Sequence, residues 1–281
     1  MIKVKNLSYR FKGKESNTIK DITFDVEEGE IFGFLGPSGA GKSTTQKILI
    51  GLLGDYEGSV RVMGTEVKER NRDFYERIGI AFEFPNFYHK LSGYENLELF
   101  KGPYSVPTIP AMELLKLVGL EIDAKQRFHS YSKGMKMRLN FCRALLNDPD
   151  ILFLDEPTSG LDPVNAKKLK DIILEKKKEG KTIILTTHNM QLAEELCDRV
   201  AFIVDGKIAL IDSPKRLKGS GGEKRIIVES KEGTIQNFPL EDVRENKEFM
   251  AMLNTNSIAT ISTKVKSLEE IFIEVTGRSL I

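Results

Sequence analysis

The chain has 281 residues, which is long enough for one large α/β domain and a smaller appendage. Of these residues 40% are hydrophobic and 30% are charged, as in an ordinary soluble protein. Its 42 basic residues nearly balance its 41 acidic residues, so the charge gives no reason to expect a nucleic-acid partner. No apolar stretch reaches the roughly 18 residues of a membrane span, and the start does not read as a signal peptide, so a cytoplasmic chain is expected. Cys142 and Cys197 lack metal or redox spacing, which predicts buried free thiols.

Residues 1 to about 90 are rich in predicted strands and lead into a phosphate-binding loop. Ile22–Val26 alternates as a strand does, and the apolar run Ile31–Leu35 predicts a buried strand. The next residues fit G-x-x-x-x-G-K-[ST], whose glycines let backbone N–H groups face a phosphate at the start of a helix near Gly41. Lys42 is expected to reach the terminal phosphates, and Ser43 to ligate Mg²⁺. The residues assigned to phosphate binding are Gly36, Pro37, Ser38, Gly39, Ala40, Gly41, Lys42, Ser43 and Thr44.

The middle of the chain reads as helical, and the α/β pattern then resumes. Residues from about 91 to 147 have helical spacing, with one helix stopping near Gly119 and another passing through Leu139 and Leu145. Beyond them, the predicted elements are a strand over Ile151–Leu154, a helix on Leu169, Ile172 and Ile173 that ends at Gly180, a strand over Thr182–Thr187 and a turn at Asp205-Gly206. This alternation predicts a largely parallel sheet.

Three polar residues follow the two predicted strands of this later region. Asp155 and Glu156 come at the carboxyl end of the first strand, where ligands of open α/β sheets bind. Asp155 is placed to hold Mg²⁺, and Glu156 to orient or deprotonate an attacking water. His188, at the end of the next strand, is placed to contact the γ-phosphate. Alternatively, the carboxylates form a solvated turn and the histidine is incidental.

With these residues the chain resembles the ATP-binding cassette (ABC) ATPases over about residues 1–215. Tyr131–Arg138, with the sequence YSKGMKMR, is similar to the signature sequence of that family, and the DEPTSGLD run begins at Asp155. The resemblance implies an α/β P-loop core with a mainly parallel sheet, an N-terminal antiparallel β subdomain and a helical subdomain. Residues 216–281 are then a small α+β appendage, joined by a glycine-rich linker over Lys218–Glu223.

The resemblance also implies ligands and partners. Phe11, or else Tyr9, stacks on the adenine of ATP, and the loop from Ser159 to Asp162 crosses to a second subunit. The signature residues meet the γ-phosphate of ATP held by that subunit, so one cassette per chain implies a dimer, expected as a homodimer. The signature residues assigned to this contact are Ser132, Lys133, Gly134 and Met135. Read alone, they could instead be a helix cap on Ser132. An integral membrane permease is the implied partner, which places the chain on the inner face of the cell membrane.

The chain departs from the family pattern in two places. Lys133 and Met135 replace the usual glycine and glutamine, a variant similar to cassettes of multidrug, antibiotic and sodium exporters. Glu83 stands where the family has a glutamine that links magnesium to the membrane partner, so Glu83 is assigned to the metal site.

Two segments favour an exporter with a separate membrane subunit. The tail, a strand over Lys224–Glu229 and a capped helix over Ser267–Arg278, is similar to exporter tails, or else is a packing appendage without its own function. An aromatic segment follows Glu83, and the resemblance implies that this region forms a groove for a helix of the permease, for which exposed aromatic side chains are suitable anchors. The alternative is a buried aromatic cluster. The aromatic residues of this segment are Phe84, Phe87, Tyr88 and Tyr94. The alternative function is a soluble cassette acting on ribosomes or DNA.

Overall fold

The computed structural model describes residues 1–220, 225–241, 243–255, 257–264 and 266–278. The chain divides into two compact units, one over Met1–Ile211 and one that begins at Asp212. Among the described residues, no helix combines the length and the apolar character needed to span a membrane.

The first unit contains ten strands and seven helices in the described chain. The strands are β1 (Ile2–Tyr9), β2 (Ile19–Val26), β3 (Ile31–Leu35), β4 (Tyr56–Val62), β5 (Thr65–Glu66), β6 (Ile78–Ala81), β7 (Ile151–Asp155), β8 (Thr182–Thr187), β9 (Arg199–Val204) and β10 (Lys207–Asp212, whose last residue opens the second unit). The helices are α1 (Lys42–Leu49), α2 (Arg72–Glu76), α3 (Gly93–Lys101), α4 (Ala111–Leu117), α5 (Lys133–Leu145), α6 (Pro163–Lys178) and α7 (Met190–Leu196).

Two sheets form the framework of this unit. An antiparallel sheet has the order β2-β1-β4-β5, and a six-stranded sheet has the order β10-β9-β3-β8-β7-β6. The strands from β9 to β6 are mutually parallel. Because helices and the first sheet cover it, every residue of β3, β7 and β8 is buried, which explains the apolar runs of β3 and β7 and the apolar middle of β8.

The predicted helical region contains α3, α4 and α5, whose starts and stops follow from local chemistry. Ser92 and Glu95 form a capping box that begins α3, and the Ser132 side chain accepts from Met135 N–H to begin α5. Gly119, predicted as a stop, follows α4 with a left-handed φ of 70°. Cys142, on the buried face of α5, and Cys197 are buried free thiols as predicted, and burial raises the pKa of both.

The second unit contains an antiparallel sheet of order β12-β11-β13 and three helices among its described residues. Its elements are α8 (Pro214–Ser220), β11 (Arg225–Ser230), β12 (Ile235–Pro239), α9 (Lys247–Asn254), β13 (Ile258–Lys264) and α10 (Leu268–Thr276). A small core of Ile226, Val228, Phe238 and Phe249 joins the sheet to α9.

Two expectations for this unit meet different outcomes. The capped C-terminal helix is confirmed, because Ser267 and Glu270 form a capping box and Gly277 ends α10 in the left-handed region. The linker over Lys218–Glu223 is wrong in its first three residues, which continue α8. Residues 221–223, and Lys224 of the predicted strand, lie outside the described residues.

Candidate functional site

The candidate site lies where four neighbouring parallel strands end. The phosphate loop, Gly36–Ser43, follows β3, and Asp155 and Glu156 stand at the end of β7. His188 follows β8, the strand between them, and Glu83 lies two residues beyond β6. The carboxyl ends of parallel strands share one edge of a sheet, so all these residues meet there, as the sequence predicts.

Close packing explains two glycines of the phosphate loop. A side-chain carbon at Gly36 would lie 2.1 Å from the carbonyl oxygen of Ile203, and one at Gly41 would lie 2.6 Å from Ile19 Cδ1. Gly41 also has a φ of 111°, which other residues rarely adopt. These glycines let α1 start against the sheet, with the N–H groups of its first turn free of intrahelical partners.

Lys42 places a buried cation inside this loop. Its ammonium donates to the carbonyl oxygens of Gly36 and Pro37 at 2.6 and 3.0 Å, and the residue is only 8% exposed. An ammonium has three donors, so one N–H is left for a phosphate oxygen. Burial lowers the pKa of Lys42, while the carboxylates of Glu156, Asp155 and Glu83 act in the opposite direction.

Asp155 faces the loop from β7. It accepts a hydrogen bond from the Thr186 hydroxyl, and the Ser43 hydroxyl lies 3.4 Å from its Oδ1. Burial raises the pKa of Asp155, and the two hydroxyls and Lys42 partly offset that effect. A buried carboxylate beside a hydroxyl provides the oxygen ligands that Mg²⁺ prefers.

Glu156 is held in place from β8 by three donors. Thr187 Oγ1 donates to its Oε2 at 2.9 Å, and the His188 N–H donates to its Oε1 at 2.9 Å. His188 Nδ1 lies 2.6 Å from the same Oε1. Because a carboxylate only accepts, this distance requires the hydrogen on Nδ1. The backbone of Glu156 is left-handed, with a φ of 48°, which turns its side chain toward His188.

A cavity of about 310 Å³ joins these groups. It is lined by Ser38, Gly39, Gly41, Lys42, Ser43, Thr44, Glu83, Asp155, Glu156 and His188. Glu83, which departs from the family pattern, therefore lines the cavity, and it is also exposed to solvent.

The remaining predicted site residues lie outside this cavity lining. Phe11 stands beyond β1 with its ring 4.9 Å from that of Tyr9, edge to face. Ser132, Lys133, Gly134 and Met135 form the signature turn at the start of α5. Asp162 caps α6 by accepting from Val164 N–H and Asn165 N–H. A single subunit therefore brings the phosphate loop, carboxylates and histidine together, and leaves the signature turn apart from its own cavity.

Sequence reasoning missed the roles of Thr186 and Thr187. Their hydroxyls bond Asp155 and Glu156, 31 residues earlier in the chain. Thr186 pairs with Asp155 in the register of the two strands. Hydroxyl residues directly before His188, in a strand that is otherwise apolar, were the available signal.

The aromatic segment is divided between surface and core. Phe84 and Tyr88 are 78% and 58% exposed, and Tyr94 is 38% exposed. Phe87 is only 4% exposed, and its ring lies 5.0 Å from that of Phe128 and 5.5 Å from that of Phe100. The expectation of an exposed anchor is wrong for Phe87, because α3 and residues before α5 enclose it.

Comparisons with known proteins identify the family of this site. A family model described as ABC transporter matches residues 19–159. A fluoroquinolones export ATP-binding protein of Mycobacterium tuberculosis is 50% identical over all of this chain and 94% of its own length. The chain belongs to the ABC transporter family. It is an ATP-binding subunit of that family with ATPase activity, and its fold is the predicted P-loop cassette with an antiparallel N-terminal sheet.

The chain is also similar to other ATP-binding proteins of the ABC transporter family. A lantibiotic transport ATP-binding protein of Streptococcus pyogenes is 37% identical over 75% of this chain and 90% of its own length. A dimeric ATP-binding cassette in a post-hydrolysis state, bound to ADP and Pi, superposes with a TM-score of 0.69 at 28% identity, covering 76% of this chain and 98% of that one. An ATP-binding subunit of an ABC transporter covers 98% of this chain and 99% of its own, with a TM-score of 0.72 at 26% identity.

Proposed function

We propose that this ABC subunit powers the export of a drug, antibiotic, ion or lipid-like substrate through a separate membrane subunit. The main support for this proposal is that residues of the phosphate loop, Asp155, Glu156 and His188 line the same cavity. The export role is supported by relatives named for the export of fluoroquinolones and the transport of lantibiotics. In this proposal the subunit lies in the cytoplasm against the inner face of the membrane, with its cassette over residues 1–215 and an accessory domain over residues 216–281.

ATP fits the donors of the cavity. Lys42 has a spare N–H among buried carbonyl groups, and the first turn of α1 offers free backbone N–H groups to phosphate oxygens. Residues 36–44 would hold the phosphates, and Phe11 would stack on the adenine.

Mg²⁺ fits the hydroxyl and carboxylate oxygens of the same cavity. Among the described residues, no group of three or more His, Cys, Asp or Glu side chains is arranged to hold a metal. Ser43, Asp155 and Glu83 would therefore share the ion with phosphate and water oxygens, as is usual for magnesium at phosphate sites. Bound there, the ion neutralises charge on the phosphates.

Glu156 and His188 are the proposed catalytic pair. Glu156 accepts a hydrogen bond from His188, which fixes the position of its carboxylate. In the reaction Glu156 orients the attacking water and takes its proton, while His188 contacts the γ-phosphate. Thr187 keeps the second carboxylate oxygen in place.

A second copy of the chain would complete each site. The signature turn, Ser132–Met135, starts a 13-residue helix whose first turn contains no acidic side chain, as an anion contact requires. In a head-to-tail homodimer it would meet the γ-phosphate held by the other copy, and Asp162 would lie on the loop that crosses between them. ATP then favours the closed dimer because only that state makes both sets of phosphate contacts.

The membrane partner is proposed to dock beside the aromatic segment. An apolar cavity of about 430 Å³ lies there, and Ile78, Ile80, Phe82, Phe100, Tyr104 and Arg143 are among its lining residues. Phe82 lines this groove, and Glu83, the next residue in the chain, lines the nucleotide cavity. A permease helix in the groove would thus sense the state of the nucleotide.

Replacing Phe84 and Tyr88 together with serine should break the docking without harming the cassette. Both rings are mostly exposed, so their loss removes contact area for a partner and little of the core. In a pull-down from the membrane fraction, we expect recovery of the membrane subunit to fall at least about tenfold, or roughly 1.4 kcal/mol of association. The ATPase rate and melting temperature of the isolated subunit should stay near wild type.

Phe87→Ala is the comparison for the Phe84/Tyr88 variant, because Phe87 belongs to the same segment but its ring is buried in the core. Its loss should lower the free energy of unfolding by about 3–5 kcal/mol, as for other buried phenylalanines. Unchanged membrane recovery in the Phe84/Tyr88 variant would contradict the docking site. Wild-type protein recovered with ribosomes or DNA in place of a membrane protein would contradict the export function.

Glu83→Gln should raise basal ATP turnover and shift the magnesium optimum upward. A charge pair at about 4 Å is worth roughly 4 kcal/mol at an effective dielectric of 20, so attraction to Mg²⁺ and repulsion from phosphate nearly cancel at Glu83. We expect a net gain in turnover of about threefold, or roughly 0.7 kcal/mol. The measurement is steady-state phosphate release over a magnesium titration.

Glu113→Gln is the control for this charge removal. Glu113 is exposed on α4 and outside the cavity, so its loss should alter neither turnover nor magnesium dependence. If Glu83→Gln behaves like Glu113→Gln, Glu83 does not act on the reaction.

A further inference from the structure

The signature turn rests on the crossing loop, Ser159–Asp162, of the same subunit. A side-chain carbon added at Gly160 would lie 2.6 Å from both Cδ and Cε of Lys133, so the lysine stem lies directly over this glycine. A carbon added at Gly134 would lie 3.4 Å from the Gly160 carbonyl oxygen and from Leu161 Cδ2. The signature turn therefore contacts the crossing loop in two ways, through its backbone at Gly134 and through the side chain of Lys133.

The crossing loop is continuous with the proposed catalytic residue. Ser159 N–H donates to the Glu156 carbonyl oxygen at 3.0 Å, and Leu161 N–H donates to the Thr158 carbonyl oxygen at 3.2 Å. Glu156 and Gly160 both have left-handed backbones, with φ of 48° and 73°. Left-handed backbone persists where the surrounding structure holds it, so the side chain that covers Gly160 helps to hold the observed conformation.

Within its own subunit, the charge of Lys133 does not explain its place. Its ammonium donates to no acceptor within the described part of the chain, and it stands at the first position of α5, where the helix dipole disfavours a cation. The contact that fixes the side chain is its aliphatic stem, which packs as long charged side chains do on apolar surfaces.

We infer that Lys133 is a positioning residue that links the signature turn to Glu156 through the crossing loop. When the turn meets the γ-phosphate held by the other copy, the stem of Lys133 holds Gly160 and so keeps Glu156 ordered in its own site. Each nucleotide thereby supports hydrolysis of the other. The inference rests on the proposed two-subunit site.

Two neutral substitutions separate the stem from the charge. Lys133→Met keeps a straight stem over Gly160, whereas Lys133→Ala removes it, and both lose the ammonium. We expect kcat to fall about tenfold in Lys133→Ala and about twofold in Lys133→Met, the smaller loss reflecting the charge. Lys133→Ala and Lys133→Met should bind a fluorescent ATP analogue with equal affinity, because both lack the ammonium and residue 133 does not line the cavity of its own subunit.

Gly160→Ala tests the contact from the opposite side. The flexible lysine stem yields more readily than backbone, so the new methyl group should lift the stem off the loop and reproduce the loss seen in Lys133→Ala. Gly180→Ala is the strain control, because Gly180 has a φ of 87° and nothing within 4 Å of the added carbon. The Lys133→Ala/Gly160→Ala double variant should be little worse than either single variant, since the two remove one shared contact.

Equal losses of kcat in Lys133→Met and Lys133→Ala would overturn the inference, because the charge and not the stem would then matter. Strictly additive losses in the double variant would overturn it as well. Both results differ from a failure of the two-subunit site itself, in which ATP would not dimerise the Glu156→Gln protein. Retained dimerisation with equal Met and Ala losses would therefore refute the link alone.

Discussion

Lys42→Ala should lose ATP binding while the fold is retained. The substitution removes the buried ammonium that serves the phosphates, and hydrogen bonds to charged groups are worth about 1.5–3 kcal/mol each. Losing the one contact that the remaining N–H makes to a phosphate oxygen weakens binding by roughly 10- to 100-fold. Titration with a fluorescent ATP analogue measures the change, and the melting temperature checks the fold.

Lys47→Ala is the matched control for this prediction. Lys47 lies on the exposed side of the same helix α1, near its carboxyl end, and does not line the cavity. Its loss removes an equal charge from the helix without touching the phosphates. ATP affinity in Lys42→Ala within about fivefold of the Lys47→Ala value, under 1 kcal/mol, would contradict the role of Lys42.

Glu156→Gln should bind ATP, lose hydrolysis and accumulate as a stable dimer. General bases contribute about 10²–10⁴-fold to rates, so turnover should fall by at least about 100-fold. Glutamine has nearly the same shape, and its amide oxygen still accepts from His188 N–H, so the site should stay folded. Without hydrolysis the closed dimer has no route to reopen, and size-exclusion chromatography with ATP should show it.

Glu175→Gln controls for the removal of a carboxylate. Glu175 is exposed on α6 and outside the cavity, so this variant should hydrolyse ATP at the wild-type rate and should not accumulate as a dimer. A Glu156→Gln protein that elutes as a monomer at saturating ATP would contradict the two-subunit site. One that hydrolyses ATP near the wild-type rate would contradict the role of Glu156.

The strands that carry the site were predictable because they are buried on both faces. Ile31–Leu35 and Thr182–Thr187 have their predicted bounds, and β7 extends the predicted strand by one residue. A fully covered parallel strand reads as an unbroken apolar run, and a glycine or a charged pair marks its end. The rule that ligands bind at the carboxyl ends of parallel strands then predicts that these residues meet at one edge, although it does not predict the order of the strands.

Features that depend on distant partners were not predictable in this way. Phe87 is buried by Phe100 and Phe128, and nothing in its own neighbourhood distinguishes it from the exposed Phe84 and Tyr88. The hydroxyls of Thr186 and Thr187 gain meaning only through the register of β8 against β7.

The second unit shows a further limit of sequence reasoning. No pattern in the sequence predicted α8, β12, α9 or β13. Residues 259–263 of β13 are exposed on both sides, so the strand lacks the alternation that would indicate it. The glycine-rich stretch after Lys218 concealed the end of α8, because glycine is unfavourable in helices but tolerated near their ends.

The order of the central sheet has a consequence for how the protein is made. β3, which leads into the phosphate loop, pairs with β8 and β9, strands about 150 residues later in the chain. While the first 180 residues leave the ribosome, β3 has neither neighbour, and the loop has no opposing β8 to fix it. ATP therefore has no complete pocket to bind during most of synthesis, and both edges of β3 stay unpaired until β8 and β9 have been made.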